Sequence, residues 1–198
     1  MRTTSFRPFV SILILSVSLL AVASCQRAPE APPAAPPPQP PYNTDATIKD
    51  LMLNVVDVQA DVVWLSVTTI ASEKGLIETR PQNDDEWAAV RHGAMNLAEA
   101  ANLLMMPGRK VADAGHKSEV PGIELETEEM EKLINNSRGV FYERAKALHD
   151  AAMQTYRAAE AKDADKVFEL GETIEMACEN CHRQYWYPNE VIPELPKP

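Results

Sequence analysis

The sequence predicts an all-α protein whose main domain is an antiparallel four-helix bundle. Glycine is scarce, with 7 in 198 residues, and 8 of the 16 prolines lie between Pro29 and Pro41. This composition is typical of a proline-rich linker followed by a helical domain. Beyond the linker, four long stretches carry apolar residues at helical spacing, and we find neither a segment that alternates at period two nor a hairpin signal. Long amphipathic helices of this number and length favour a bundle.

The four predicted helices have local start and stop signals. Residues 47–50 form a capping box at the start of the first, and Pro107-Gly108 stops the second. Thr127 is the expected N-cap of the third. The connection at 107–126 is long for a bundle, so we expect it to pack on the surface or to be mobile. The helices are expected at about 45–71, 84–106, 127–161 and 163–186.

The N-terminus has the features of an export signal. Arg2 and Arg7 precede a largely apolar run at 9–23, which is shorter than the roughly 20 residues of a membrane span. The run ends in Val-Ala-Ser-Cys, which resembles a bacterial lipobox and predicts lipidation of Cys25. Residues 1–24 would then be a lipoprotein signal peptide. The alternative is an ordinary secretory signal with a chance cysteine; both readings predict export.

Two proline-rich segments flank the predicted bundle at 44–187. The lipidated Cys25 and a polyproline-like linker occupy 25–43, and an extended tail occupies 188–198. At about 3.1 Å per residue, the linker could hold the bundle roughly 50 Å from the membrane. A disordered leader without a spacing role is the alternative.

The net charge of the chain argues against two classes of partner. Residues 1–41 carry three Arg and one Glu, so 16 basic and 28 acidic residues remain, a formal charge of −12. This charge argues against binding nucleic acid or anionic lipid by electrostatic attraction. It allows a basic partner.

The last predicted helix carries the motif Cys178-x-x-Cys181-His182, which is typical of covalent haem c attachment. Each cysteine adds to a haem vinyl group, and the histidine is the proximal iron ligand. At spacings of three and four residues the three side chains share one helix face, which we expect to point into the bundle.

Three other interpretations of the motif are weaker. A thioredoxin-like redox pair expects a βαβ setting, which the sequence does not predict. A zinc site requires a fourth ligand at a recognisable spacing, and none is evident in the sequence. A disulfide between Cys178 and Cys181 in the middle of a helix has poor geometry. Export agrees with haem attachment, which takes place outside the cytoplasm.

A C-x-x-C-H motif on the last of four helices resembles the class II c-type cytochromes, the cytochrome c-prime family. Tyr185, an aromatic residue three positions after the histidine, is also similar. The resemblance covers about residues 44–187 and rests on architecture and a few residues. It implies one haem attached to the last helix, with the other three helices folded over it, and it implies that a homodimer through the first two helices can form.

The family divides on the sixth iron ligand. One branch leaves the distal site open and binds gases such as NO, whereas the other is a six-coordinate electron carrier with a methionine from helix 1. Lys49, Leu51, Met52 and Asn54 are similar to the carrier branch, which makes Met52 the candidate distal ligand. The alternative is that Met52 only packs in the core. Some family members have an arginine near a haem propionate where this chain has Lys49, so the propionate partner stays open.

Several other residues have simpler roles. His92 and His149 are expected to be surface or hydrogen-bonded histidines, and His116 lies in the long connection. Trp64 and Trp87 are expected to be core residues, with haem contact as the alternative.

The function predicted from these features is electron transfer by a membrane-tethered cytochrome, not enzymatic catalysis. Its expected location is the periplasm, anchored to a bacterial membrane, with the outer membrane favoured because Gln26 rather than Asp follows Cys25. The expected partners are periplasmic or membrane redox proteins and, through the anchor, the lipid bilayer. The alternative function is a five-coordinate gas-binding haem protein. A peroxidase is disfavoured, since helix 1 offers few polar groups near Met52.

Overall fold

The computed structural model describes residues 42–191. Five helices make up most of this part of the chain, so the prediction of a mostly helical protein is confirmed. The predicted signal peptide, Cys25, nearly all of the predicted linker and residues 192–198 of the predicted tail lie outside the described residues. Among those described, no helix is long and apolar enough to cross a membrane. The helices are α1, made of three consecutive segments at Ile48–Leu51, Met52–Val56 and Asp57–Trp64, then α2 at Asp84–Leu104, α3 at Thr127–Asn136, α4 at Arg138–Glu160 and α5 at Ala164–Tyr185.

Helix α1 contains a π-helical turn. The helix begins with the predicted capping box, in which the Thr47 side chain accepts from the Asp50 N–H at 3.1 Å and the Asp50 carboxylate accepts from the Thr47 N–H at 2.9 Å. The segment Met52–Val56 then has π geometry, and the Asp57 N–H bonds to the Met52 carbonyl five residues earlier. Such turns are rare and occur often at functional sites.

The predicted end of the first helix is wrong, and a β-hairpin was missed. Helix α1 ends at Trp64, and the chain continues into strands β1, Thr68–Ser72, and β2, Gly75–Thr79, which pair antiparallel. Gly75 has φ +115°, a conformation that favours glycine. Ile70 and Ile77 are paired and exposed, so the hairpin lacks the buried face that gives alternation. The apolar residues of β1 were assigned to the predicted helix, and β2 was not predicted.

The third predicted helix is two helices in the structure. Ser137 has φ −131° and ψ 41°, which interrupts the helix between α3 and α4. The stretch Asn135-Asn136-Ser137 consists of weak helix formers, which is the physical reason for the break. The predicted N-cap is also wrong by one residue: Glu126 is the N-cap, and its N–H donates to the Glu129 carboxylate at 3.0 Å.

The four longest helices pack in a closed order, because α1 contacts α2, α2 contacts α4, α4 contacts α5, and α5 contacts α1. Alanines bring α2 and α4 close together, and Leu97 and Ile174 are fully buried in the same apolar cluster. A second cluster, around Phe141 and Tyr185, lies at the end of the molecule where α1 begins and α5 ends.

The long connection between α2 and α3 packs against this second cluster. Val111 is buried, the Ile48 N–H donates to the Lys110 carbonyl at 2.8 Å, and the Leu125 N–H donates to the Trp186 carbonyl at 2.8 Å. These bonds tie the connection to the beginning of α1 and to the end of α5. Of the two expectations for this segment, packing on the surface is the one observed.

Candidate functional site

Helix α5 presents the C-x-x-C-H motif to a cavity of about 440 Å³. The helix begins one residue after the predicted start, and the Asp163 side chain caps it by accepting from the Lys166 N–H at 3.0 Å. Cys178, Cys181 and His182 are half-buried and all line the cavity. The cavity volume lies within the range of about 300–1,000 Å³ typical of small-molecule and cofactor sites.

Met52 lines the same cavity from α1. It is the first residue of the π-helical turn, is half-buried, and packs against both apolar clusters. Cys178 packs against the first cluster and Cys181 against the second, so the motif lies where the two clusters meet. Four of the five residues singled out from the sequence therefore border one cavity; the fifth, Cys25, lies outside the described residues.

Aromatic rings surround His182. The Trp186 ring lies edge-on at 5.1 Å and 88°, and the Tyr187 ring is tilted at 5.9 Å. Burial lowers the pKa of His182, and the neighbouring Glu179 only partly opposes this. The imidazole is therefore held in the neutral form, the form that coordinates a metal.

The two cysteines are free thiols in a desolvated setting. Burial raises the pKa of Cys178 to about 12, with Glu175 as the next contribution, and burial raises the pKa of Cys181 to about 11. Because the thiolate is the reactive form in redox exchange and zinc binding, this setting disfavours both of those functions.

The buried thiols should react slowly in the folded, haem-free protein. At pH 8 a thiol of pKa about 11 is ionised roughly 200-fold less than a free cysteine of pKa about 8.5. We expect alkylation by iodoacetamide to be slower by about that factor than in denaturant, and to accelerate as the pH rises. The measurement uses the Cys25→Ser protein and mass spectrometry, with circular dichroism to verify folding. Equal rates in a folded sample would contradict the assignment.

Polar contacts link Glu179 and Arg183, near the end of α5, to Tyr187, which follows the helix. The Tyr187 hydroxyl donates to the Glu179 Oε1 at 2.6 Å, and the Arg183 Nε lies 3.2 Å from the other oxygen of that carboxylate. Burial, and then the Glu179 hydrogen bond, raise the pKa of Tyr187. These contacts hold the end of α5 beside His182.

Four polar residues of the long connection line the cavity: His116, Ser118, Glu119 and Glu124. The Lys49 Nζ lies 3.1 Å from the His116 Nε2 and 3.0 Å from the Glu119 Oε1, and all three residues line the cavity. Lys49, for which the sequence left a role open, is thus positioned at the cavity together with His116.

Two histidines and Trp87 have the environments expected from the sequence, whereas Trp64 is only half-buried and lines the cavity. His92 is exposed, and the His149 Nδ1 lies 3.1 Å from the Asp150 Oδ1. Trp87 is a buried core residue, whereas Trp64 is half-buried, lines the cavity, and donates from Nε1 to the Gly171 carbonyl at 3.1 Å.

Among the cavity residues that sequence reasoning did not single out are Glu119 and Trp186. Trp186 follows His182 by four residues on the same helix face, a signal that could have found it. Glu119 belongs to an irregular connection whose position no local pattern predicts.

Neither a family model, nor a curated protein, nor a solved structure matches this chain. Within residues 42–191, no three His, Cys, Asp or Glu side chains are grouped so that they could hold a metal ion.

Proposed function

We propose that this protein is an electron-transfer cytochrome with one covalently bound haem c. The observation that carries the proposal is the cavity of about 440 Å³ that Cys178, Cys181 and His182 border from α5 and Met52 borders from α1. Cys178 and Cys181 would hold the haem by thioether bonds, and His182 and Met52 would coordinate its iron. When bound, the haem supplies a one-electron couple between ferric and ferrous iron.

In this proposal α1, α2, α4 and α5 form an antiparallel four-helix bundle around the haem. The closed order of their contacts supports this arrangement. The apolar side chains of Val56, Ile134 and Phe141 line the cavity and make its wall apolar. Neutral His182 keeps a nitrogen lone pair free for iron, and the Met52 thioether is a soft ligand that raises the reduction potential.

The proposed setting is the periplasm. The signal peptide at 1–24 would direct export, and lipidated Cys25 would anchor the chain to a bacterial membrane, with the outer membrane favoured. Redox proteins of the periplasm or membrane are the proposed partners. A carrier needs a buried haem and a docking surface rather than catalytic groups, so we propose no enzymatic activity.

A second candidate function is a five-coordinate haem protein that binds NO or CO. The observation that favours it is the packing of Met52 against both apolar clusters, which is also the behaviour of a core methionine. In that case His182 would be the only protein residue that coordinates the iron, and Met52 would be a core residue.

Absorption spectra of the purified haem-loaded protein, oxidised and reduced, with and without CO, test the two functions. For the electron carrier we expect a low-spin spectrum that CO does not alter, and a high-spin spectrum in Met52→Ala. Met176→Ala, at an exposed methionine of α5 that does not line the cavity, is the matched control and should stay low-spin. A high-spin parent spectrum that shifts with CO would replace the carrier by the gas-binding protein.

A further inference from the structure

The mouth of the cavity is a groove between α1 and α5 with an apolar centre. Leu53 on α1 is 57% exposed and Trp186 after α5 is 40% exposed, and both also line the cavity. Exposed large apolar side chains on the two sides of one opening are typical of the centre of an interaction surface. We call this groove the cavity mouth, and its edges are formed by Lys49, Leu53, Asp57, Glu175, Glu179 and Trp186.

The charge that remains at the cavity mouth is negative. Lys49 is paired with Glu119 at 3.0 Å, and Glu179 is paired with Arg183 at 3.2 Å, so these charges largely cancel. Asp57 and Glu175 are exposed, and within the described part of the chain their carboxylates have no hydrogen bond or ion pair. One free carboxylate therefore stands on each side of the apolar centre.

We propose that the cavity mouth is the docking surface for a redox protein that carries a basic patch around its own redox centre. This inference rests on the proposed electron-transfer function, because it adds the surface and the chemistry of the partner. Free carboxylates around a small apolar centre steer a basic partner to the opening and allow a weak, short-lived complex. A second copy of this chain would bring the same negative charge, which disfavours it as the occupant.

Stopped-flow reduction of the oxidised, haem-loaded protein tests the charge at the mouth. One electron passes from hexaammineruthenium(II) to the haem iron of the protein. The reagent becomes ruthenium(III), and no proton is transferred and no bond is formed or broken. We expect Asp57→Asn/Glu175→Gln to slow this cationic reagent about fivefold at 10 mM ionic strength. At 1 M, where the Debye length is about 3 Å, the difference should vanish. The anionic reductant Fe(II)-EDTA should become faster in the same variant.

The matched control is Glu99→Gln/Glu160→Gln. It removes two negative charges from exposed positions on α2 and α4 that do not line the cavity. We expect its rates with both reagents to change by less than about twofold. All proteins should keep the absorption spectrum of the parent, which verifies that the haem environment is intact.

Octalysine, a basic peptide, tests docking itself. In the reduced protein it should shift the amide resonances of Leu53 and Trp186, and these shifts should weaken in Asp57→Asn/Glu175→Gln but persist in the control. Equal rates in both double variants, or octalysine shifts confined to other surfaces, would overturn the docking proposal alone. A protein without covalent haem would overturn the proposed function as well, so the two failures are distinguishable.

Discussion

Replacing Cys178 and Cys181 together by alanine should abolish covalent haem attachment. Each thioether bond requires one of these thiols, and both line the cavity beside His182. The measurement is haem staining after denaturing electrophoresis, together with the pyridine haemochrome spectrum. The parent should retain haem under denaturing conditions, and the double variant should retain none.

The third cysteine is the control for this experiment. Cys25→Ser should keep the full amount of covalent haem, because Cys25 lies in the lipobox-like stretch far from the motif in sequence. It should instead abolish membrane attachment, which fractionation measures. Covalent haem in the Cys178→Ala/Cys181→Ala protein would contradict the proposed function directly.

Phe141→Ala should destabilise the protein by about 3–5 kcal/mol, the usual cost of removing a buried aromatic ring. Phe141 is 4% exposed, packs edge-on against Tyr185 at 5.5 Å, and lines both the large cavity and a second one of about 40 Å³. Its loss leaves a void that the surrounding helices cannot fill without moving. Urea unfolding at a fixed haem content measures the change in the free energy of unfolding.

Phe168→Ala is the matched control for Phe141→Ala. Phe168 is 56% exposed on α5, so the same truncation should cost less than about 1 kcal/mol. An equal decrease in the free energy of unfolding for the two variants, or a small decrease for Phe141→Ala, would mean that packing of Phe141 does not stabilise the wall of the cavity.

Two helices could be predicted to within about two residues because their ends carry local signals. The Asn83 side chain caps α2, Pro107-Gly108 follows it, and the Asp163 side chain caps α5. The shared face of Cys178, Cys181 and His182 likewise follows from helical spacing alone. The end of α1 and the break at Ser137 were missed, because an apolar periodicity does not by itself mark where a helix stops.

The remaining features of the site depend on contacts between residues that are distant in the chain. The amino-acid sequence established the motif, its helix and the candidate ligand Met52. That Met52 borders the same cavity depends on which face of α1 packs toward α5, and the presence of His116 and Glu119 there depends on how an irregular connection folds back. Capping, spacing and periodicity act over one or two helical turns, whereas the cavity arises where separate helices bury their apolar faces together.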